Sequence, residues 1–284
     1  MRAAALFVLS LVAALPAVAG PNDIDLLGLV DTDGATPQPR NADFRSLVRE
    51  MGVLFTPSSQ QLAETTGISG FEFALDYAFH PVNIDAAYWQ DALESPGSRL
   101  PMTIGARARK GFVLPVPLAS EVEVGAQWLV ESQMVNLGAN LKLALNEGFT
   151  GNHWWVGIPD IAVTAGINRV VGSDDLDLLT VTTGAVISKG FGLFGSVNFA
   201  PFVGYQSIFI NGSTRLVDAG PTNPRNVDDN VVFEVVDLTD NRIDRVSLGA
   251  RIIVAHVLLQ AGVDINLLGD TTIVQTGLRG GVSF

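Results

Sequence analysis

The chain has 284 residues, 17 Lys and Arg against 29 Asp and Glu, no cysteine, and a formal net charge of −12. That balance, with only 3 Lys, repels phosphate and excludes nucleic acid as a partner. The absent thiols exclude disulfides and any Cys-ligated zinc or iron–sulfur centre.

Residues 1–19 read as a secretory leader. Arg2 supplies a positive charge, Ala3 to Leu15 are mostly apolar, and Pro16 breaks the run. Ala17 and Ala19 then place small residues at the −3 and −1 positions of a cleavage site. Export is expected, with the mature chain starting near Gly20 or Pro21. After the leader no apolar run reaches the roughly 20 residues of a membrane helix, which removes a polytopic helical membrane protein.

Residues 20–43 are polar and turn-rich, and a flexible N-terminal segment is expected there. A helical period follows. Phe44, Leu47, Val48, Met51, Leu54 and Phe55 form one stripe, and Arg45, Arg49 and Glu50 fall off it. The spacing predicts an amphipathic helix of about three turns. Asn41 or Asp43 is placed to cap it and Pro57 to stop it. Residues 44–66 are thus an amphipathic helix and linker, with the stripe as a possible plug.

From Gly67 to Phe284 the period is two. Val135, Leu137, Ala139, Leu141 and Leu143 alternate with Asn136, Gly138, Asn140 and Lys142. The same pattern predicts strands at 69–79, 101–113, 119–131, 133–146, 159–171, 175–188, 193–209, 242–254, 256–267 and 272–284. Many exceed the 5–6 residues usual in soluble proteins and suit the 9–11 of a tilted membrane-crossing strand. No helical stripe falls between them, which removes α/β folds. Short Gly/Asp turns at 171–175, 189–192 and 268–270 alternate with long connections at 80–100 and 210–241. The stretch 147–158 does not fit the short-turn side. The expected fold is all-β: a closed antiparallel transmembrane β-barrel of about ten strands, twelve being the alternative. A soluble β-sandwich is the rival fold.

The last strand alternates Val274, Thr276, Leu278, Gly280, Val282 and Phe284 with polar or small residues. Over 67–284 the chain resembles Gram-negative outer-membrane β-barrels. The final Phe284, with Val282 two positions earlier, is similar to the assembly signal of that class. The glycine usual five residues before the end is Arg279 here. The resemblance implies a bacterial outer-membrane location, membrane lipids around the barrel, and the barrel assembly machinery as a partner.

On that fold the polar strand faces point into the lumen. They carry Glu72, Asp76, Arg107, Arg109, Glu121, Glu123, Lys142, Arg245, Arg251, Asp264 and Arg279. Signs alternate between neighbouring strands, so an ion-pair network across a narrow lumen is expected. Phe202 and Leu258 are candidate apolar wall against the helix. Tyr88, Trp89, Trp128, Trp154, Trp155 and Tyr205 read as an interfacial girdle. His80, His153 and His256 lie far apart without metal spacing, and the acidic turns at Asp174–Asp177 and Asp228–Asn230 read as solvated. No catalytic residue, metal or cofactor is expected, nor enzymatic activity. A narrow or plugged pore or transporter for small or hydrophobic solutes is the first function expected. The alternative is a closed-lumen structural or adhesive envelope protein whose outer loops bind partners.

Overall fold

The computed structural model describes residues 20–284 except 21, 35, 59–60, 95–100, 114–117, 147–157, 194–195, 221–229 and 270. The leader, the misfit stretch after Asn146, His153, Trp154, Trp155 and the Asp228-Asp229 turn lie outside the described residues.

The period-two region forms a closed barrel of ten long strands: β1 (Phe71–Phe79), β2 (Met102–Val113), β3 (Ala119–Leu129), β4 (Val135–Ala144), β5 (Asp160–Val171), β6 (Leu176–Ser188), β7 (Val197–Thr214), β8 (Arg242–Val254), β9 (Val257–Leu267) and β10 (Thr272–Ser283). Each pairs antiparallel with its sequence neighbour. β10 closes on β1, with Arg279 opposite Asp76 and Ser283 opposite Glu72. Phe284 and Phe71 exchange both backbone bonds at that seam, at 2.8 and 3.0 Å. A closed ladder leaves no strand edge unpaired, which a hydrocarbon surrounding demands.

Alternation sends one face outward. Leu75, Val124, Leu137, Leu141, Ile167, Val203, Leu248, Leu259 and Leu278 are all exposed on the barrel exterior. An unbroken apolar exterior on a closed sheet is the surface a bilayer covers. No described helix is long and apolar enough to cross a membrane.

The chain termini of the barrel mark one end, called here the terminal end. The connections after β1 and β7 mark the loop end. The strand expected at 193–209 is instead Val197–Thr214, lengthened toward the loop end, and Phe191–Leu193 is a separate short strand against its start.

The helix expected over 44–55 is α1, Asn41–Phe55. Asn41 does not cap it. Its Oδ1 accepts from Glu234 N at 2.9 Å, and no side chain caps the helix start. Of residues 20–43, where a flexible N-terminal segment is expected, the described ones up to Arg40 lie against the loop end. Leu26–Leu29 form a 3₁₀ turn and Val30–Asp31 pairs with Gln38–Pro39. The reason is burial: Leu26 and Leu29 are fully enclosed, and four apolar side chains spaced among polar ones suffice to anchor the segment.

The connection after β1 also folds. Ala87–Ala92 is a short helix, α2, and Val82, Ile84 and Trp89 are buried with α1. Trp89 and Tyr88 are therefore not girdle residues. Trp128 sits half-buried with Nε1 donating to Ser132 O at 2.7 Å. Tyr205 faces outward beside the exposed Arg242–Asp244 pair.

Candidate functional site

The barrel lumen is occupied by the chain's own residues 41–58 and 61–66, in two tiers of different chemistry. At the loop end the wall is apolar. Val170, Leu176, Leu178, Ile208, Ile210, Ile243 and Ile273 point inward and enclose α1. Phe44, Leu47, Val48, Met51 and Leu54 of α1 are fully buried there, and Phe55 nearly so. Each such side chain contributes about 1.5–3 kcal/mol over leaving it wet. Helix and wall touch closely: a Cβ added at Gly52 would meet Ile210 Cδ1 at 2.4 Å. Phe233, from the long connection after β7, stacks at a tilt on Phe44 with centroids 4.9 Å apart. Phe202, a candidate wall residue, lies lower, in a small cluster with Leu62 and Ala63. Leu258 is buried too but outside the cluster around α1. Both miss α1 because they sit toward the terminal end.

Glu50 falls off the apolar stripe yet is only 4% exposed. It accepts from Tyr88 Oη and Trp89 Nε1 at 2.6 Å each and from Asn83 N at 3.2 Å. Burial and the neighbouring carboxylate push the Tyr88 phenol up, so it stays a donor. Glu50 thereby fastens the loop after β1 to the helix. Glu50→Ala takes the acceptor from the buried Trp89 Nε1, the half-buried Tyr88 Oη and the Asn83 amide. We expect about 3 kcal/mol of lost stability and a red shift in tryptophan emission from Trp89 as the loop opens to water.

Below α1 the chain descends as irregular backbone, which needs partners inside the barrel. Lumen side chains supply them. Asn136 Nδ2 donates to Phe55 O at 2.8 Å. Lys142 Nζ donates to Leu62 O at 3.1 Å and Glu64 O at 2.7 Å. Ser188 Oγ accepts from Ala63 N at 2.9 Å, and Glu121 Oε2 from Thr66 N at 2.8 Å. The described residues of 56–66 therefore lie along the lumen from the foot of α1 toward the terminal end. Residues 20–25 meet the turn after β3 at the loop end: Asn22 N donates to Glu131 O at 3.1 Å.

Nine of the eleven charges read from the sequence form ion pairs. A continuous chain links Arg279, Asp76, Arg107, Glu123, Arg109, Glu72 and Arg251. Its contacts include Arg107–Glu123 at 2.8 Å, Arg109–Glu72 at 3.3 Å and Arg251–Glu72 at 3.3 Å. Lys142 pairs with Glu121 at 2.8 Å. The other two charges contact α1 and the descending segment. Asp264 accepts from the hydroxyls of Ser58 and Ser247. Arg245 is fully buried and donates to carbonyls at and just beyond the end of α1: Val53 O at 3.1 Å, Thr56 O at 3.3 Å and Pro57 O at 2.8 Å. A guanidinium there satisfies the orphan carbonyls of a helix C-terminus and complements its dipole.

His80 is held in the lumen by Thr103 Oγ1 at 2.8 Å on Nε2 and by the Gln275 amide at 2.7 Å on Nδ1. His256 stacks on Phe284 at the terminal end. One space left in the lumen among the described residues measures about 20 Å³, room for about one water. It is lined by Gln61, Gln127, Asn136, Asn140, Asn168 and Gln206, among others.

Glu50, Gln275 and Ser188 carry no sequence signal for these roles. Glu50 sits off the helical stripe, and polar lumen residues look alike by parity. Val282 and Phe284 lie on the exterior at the seam, both exposed.

No protein-family model and no curated protein matches the chain. Among solved structures, the attachment invasion locus protein Ail of Yersinia pestis is 12% identical, with 76% of this chain and 99% of that chain covered and a TM-score of 0.30. An outer membrane channel from Pseudomonas putida F1 is 12% identical over 81% of this chain and 100% of that one, TM-score 0.35. The transport unit of the autotransporter AIDA-I from Escherichia coli is 10% identical over 87% and 99%, TM-score 0.36.

Proposed function

We propose that the chain is an outer-membrane β-barrel whose lumen is closed by its own N-terminal segment, acting as a closed-lumen envelope protein. Its loops and residues 20–40 form the cap it presents at the loop end. The observation that carries this is the occupied lumen, where α1 and the described residues of 56–66 fill the interior of a narrow barrel. The barrel assembly machinery is proposed to read Val282 and Phe284, which face outward at the terminal end. No chemistry is proposed: both ring nitrogens of His80 are engaged, and His256 lies at the opposite end.

The second reading is a gated pore, and one observation favours it. Gln127 Oε1, Asn136 Oδ1 and Asn140 Oδ1 have no partner and line the residual space, so unsatisfied polar groups lie beside the descending segment. Planar-bilayer conductance separates the two readings. The native chain should stay shut, and a steady large open state would overturn the closed reading. A staple sharpens the test. Val48 Cβ lies 3.3 Å from where a Cβ at Gly212 would sit, near disulfide range, and the chain has no other cysteine. Oxidised Val48→Cys/Gly212→Cys should match the native chain. Openings seen in the native chain and in the reduced variant but absent from the oxidised variant would establish a moving plug.

A further inference from the structure

We propose that leader removal between Ala19 and Gly20 creates a charged N-terminus that locks the mature chain onto the loop end by pairing with Asp23. The inference rests on the export reading above and adds a processing site and a role for it.

Gly20 N lies 2.7 Å from Asp23 Oδ2. The other carboxylate oxygen of Asp23 accepts from Ser132 Oγ and from Gln133 N, each at 2.7 Å, both in the turn between β3 and β4. Asp23 is buried. No Lys or Arg among the described residues is paired with it. A buried carboxylate served only by neutral donors is costly unless a counter-charge is supplied. Hydrolysis of the Ala19–Gly20 bond by a leader peptidase supplies it. One water is consumed, the carboxylate leaves with Ala19, and the amine remains on Gly20. That amine carries a proton at neutral pH, its ordinary pKa being about 7.7–8.0. The positive charge then sits where the structure already places a donor to Asp23.

Two further observations fix the residue. A Cβ at position 20 would fall 2.1 Å from Glu131 O, so the docked N-terminal residue must be glycine. Asp23 N donates to Gly20 O at 3.0 Å, and Asn22 Nδ2 to Val130 O at 2.8 Å, so the first residues form a turn seated on the β3–β4 connection. Small residues at −3 and −1 place cleavage immediately before this glycine.

The test uses full-length protein purified from membranes. Intact mass gives the first residue. A variant with one alanine inserted between Ala19 and Gly20, its processed mass verified, keeps the N–H donor but moves the charge one residue away. Asp23→Asn removes the acceptor's charge. Amide hydrogen exchange of residues 22–27 and 131–134 should run at least tenfold faster in both variants than in the native chain. Unchanged exchange with the native start at Gly20 would overturn the charge pair and leave export standing. A processed chain starting elsewhere would overturn the site. A retained leader would overturn both this proposal and the export reading.

Discussion

Arg245→Met should release the C-terminus of α1 and lower stability by about 3–5 kcal/mol, the scale of leaving several buried acceptors without their charged donor. The substitution keeps the stem's volume and deletes every donor. Val53 O, Thr56 O and Pro57 O then lose the guanidinium, as do Asn266 Oδ1 at 2.6 Å and Gln275 Oε1 at 3.3 Å. Denaturant midpoints in detergent measure the loss. Amide exchange locates it: α1 should exchange faster while the β7–β8 ladder keeps its protection. Conductance should show brief openings absent from the native chain. Arg245→Lys should fall between the two, because an ammonium keeps the charge but cannot span three carbonyls and three side chains from one point. A loss below about 1 kcal/mol, the scale of one ordinary neutral bond, would mean the helix is held by its apolar face alone.

The barrel was readable because two solvents meet each strand. Hydrocarbon outside and polar groups inside impose a strict period of two, so Leu137, Leu141 and Val124 fall outside while Glu123 and Lys142 fall inside by parity alone. The α1 stripe was equally plain, since six apolar side chains share one face. What they pack against was hidden. Ile208 and Ile210 continue the inward parity of Gln206, and nothing local says that the lumen turns from polar to apolar there. The cap was hidden for a different reason. Val82, Ile84, Trp89, Phe233 and Val236 are scattered among Asp, Asn and Pro with no period, and their burial depends on contacts such as Phe44 with Phe233 that the chain reaches only after it folds. The 20–40 segment misled similarly: its turn residues are real turns, but its few apolar side chains are spent in the shared core. Parity also cannot say which lumen charges pair with each other and which serve the plug. Arg245 and Asp264 differ from their neighbours only in lying where the descending segment passes.

Glu123→Leu should be among the most damaging single substitutions in the wall, and adding Arg109→Met should restore part of what it removes. Glu123 is the joint of the network. It accepts from Arg107 at 2.8 Å and from Arg109 at 2.5 Å, with all three side chains almost wholly enclosed. Removing it leaves two guanidiniums side by side, each with one carboxylate, Asp76 or Glu72. The Coulombic attraction is lost while the desolvation cost of both cations remains, so about 3–5 kcal/mol should disappear. Deleting Arg109 as well removes one of the stranded cations and leaves Arg107 with Asp76 and Glu72 with Arg251. The double variant should therefore be more stable than Glu123→Leu alone, a coupling that denaturant midpoints of the four members of the cycle measure directly. If the two losses simply add, the charges act independently in a hydrated lumen and do not brace the barrel. The double variant should also remain non-conducting, because α1 closes the loop end above the network whatever the charges beneath it do.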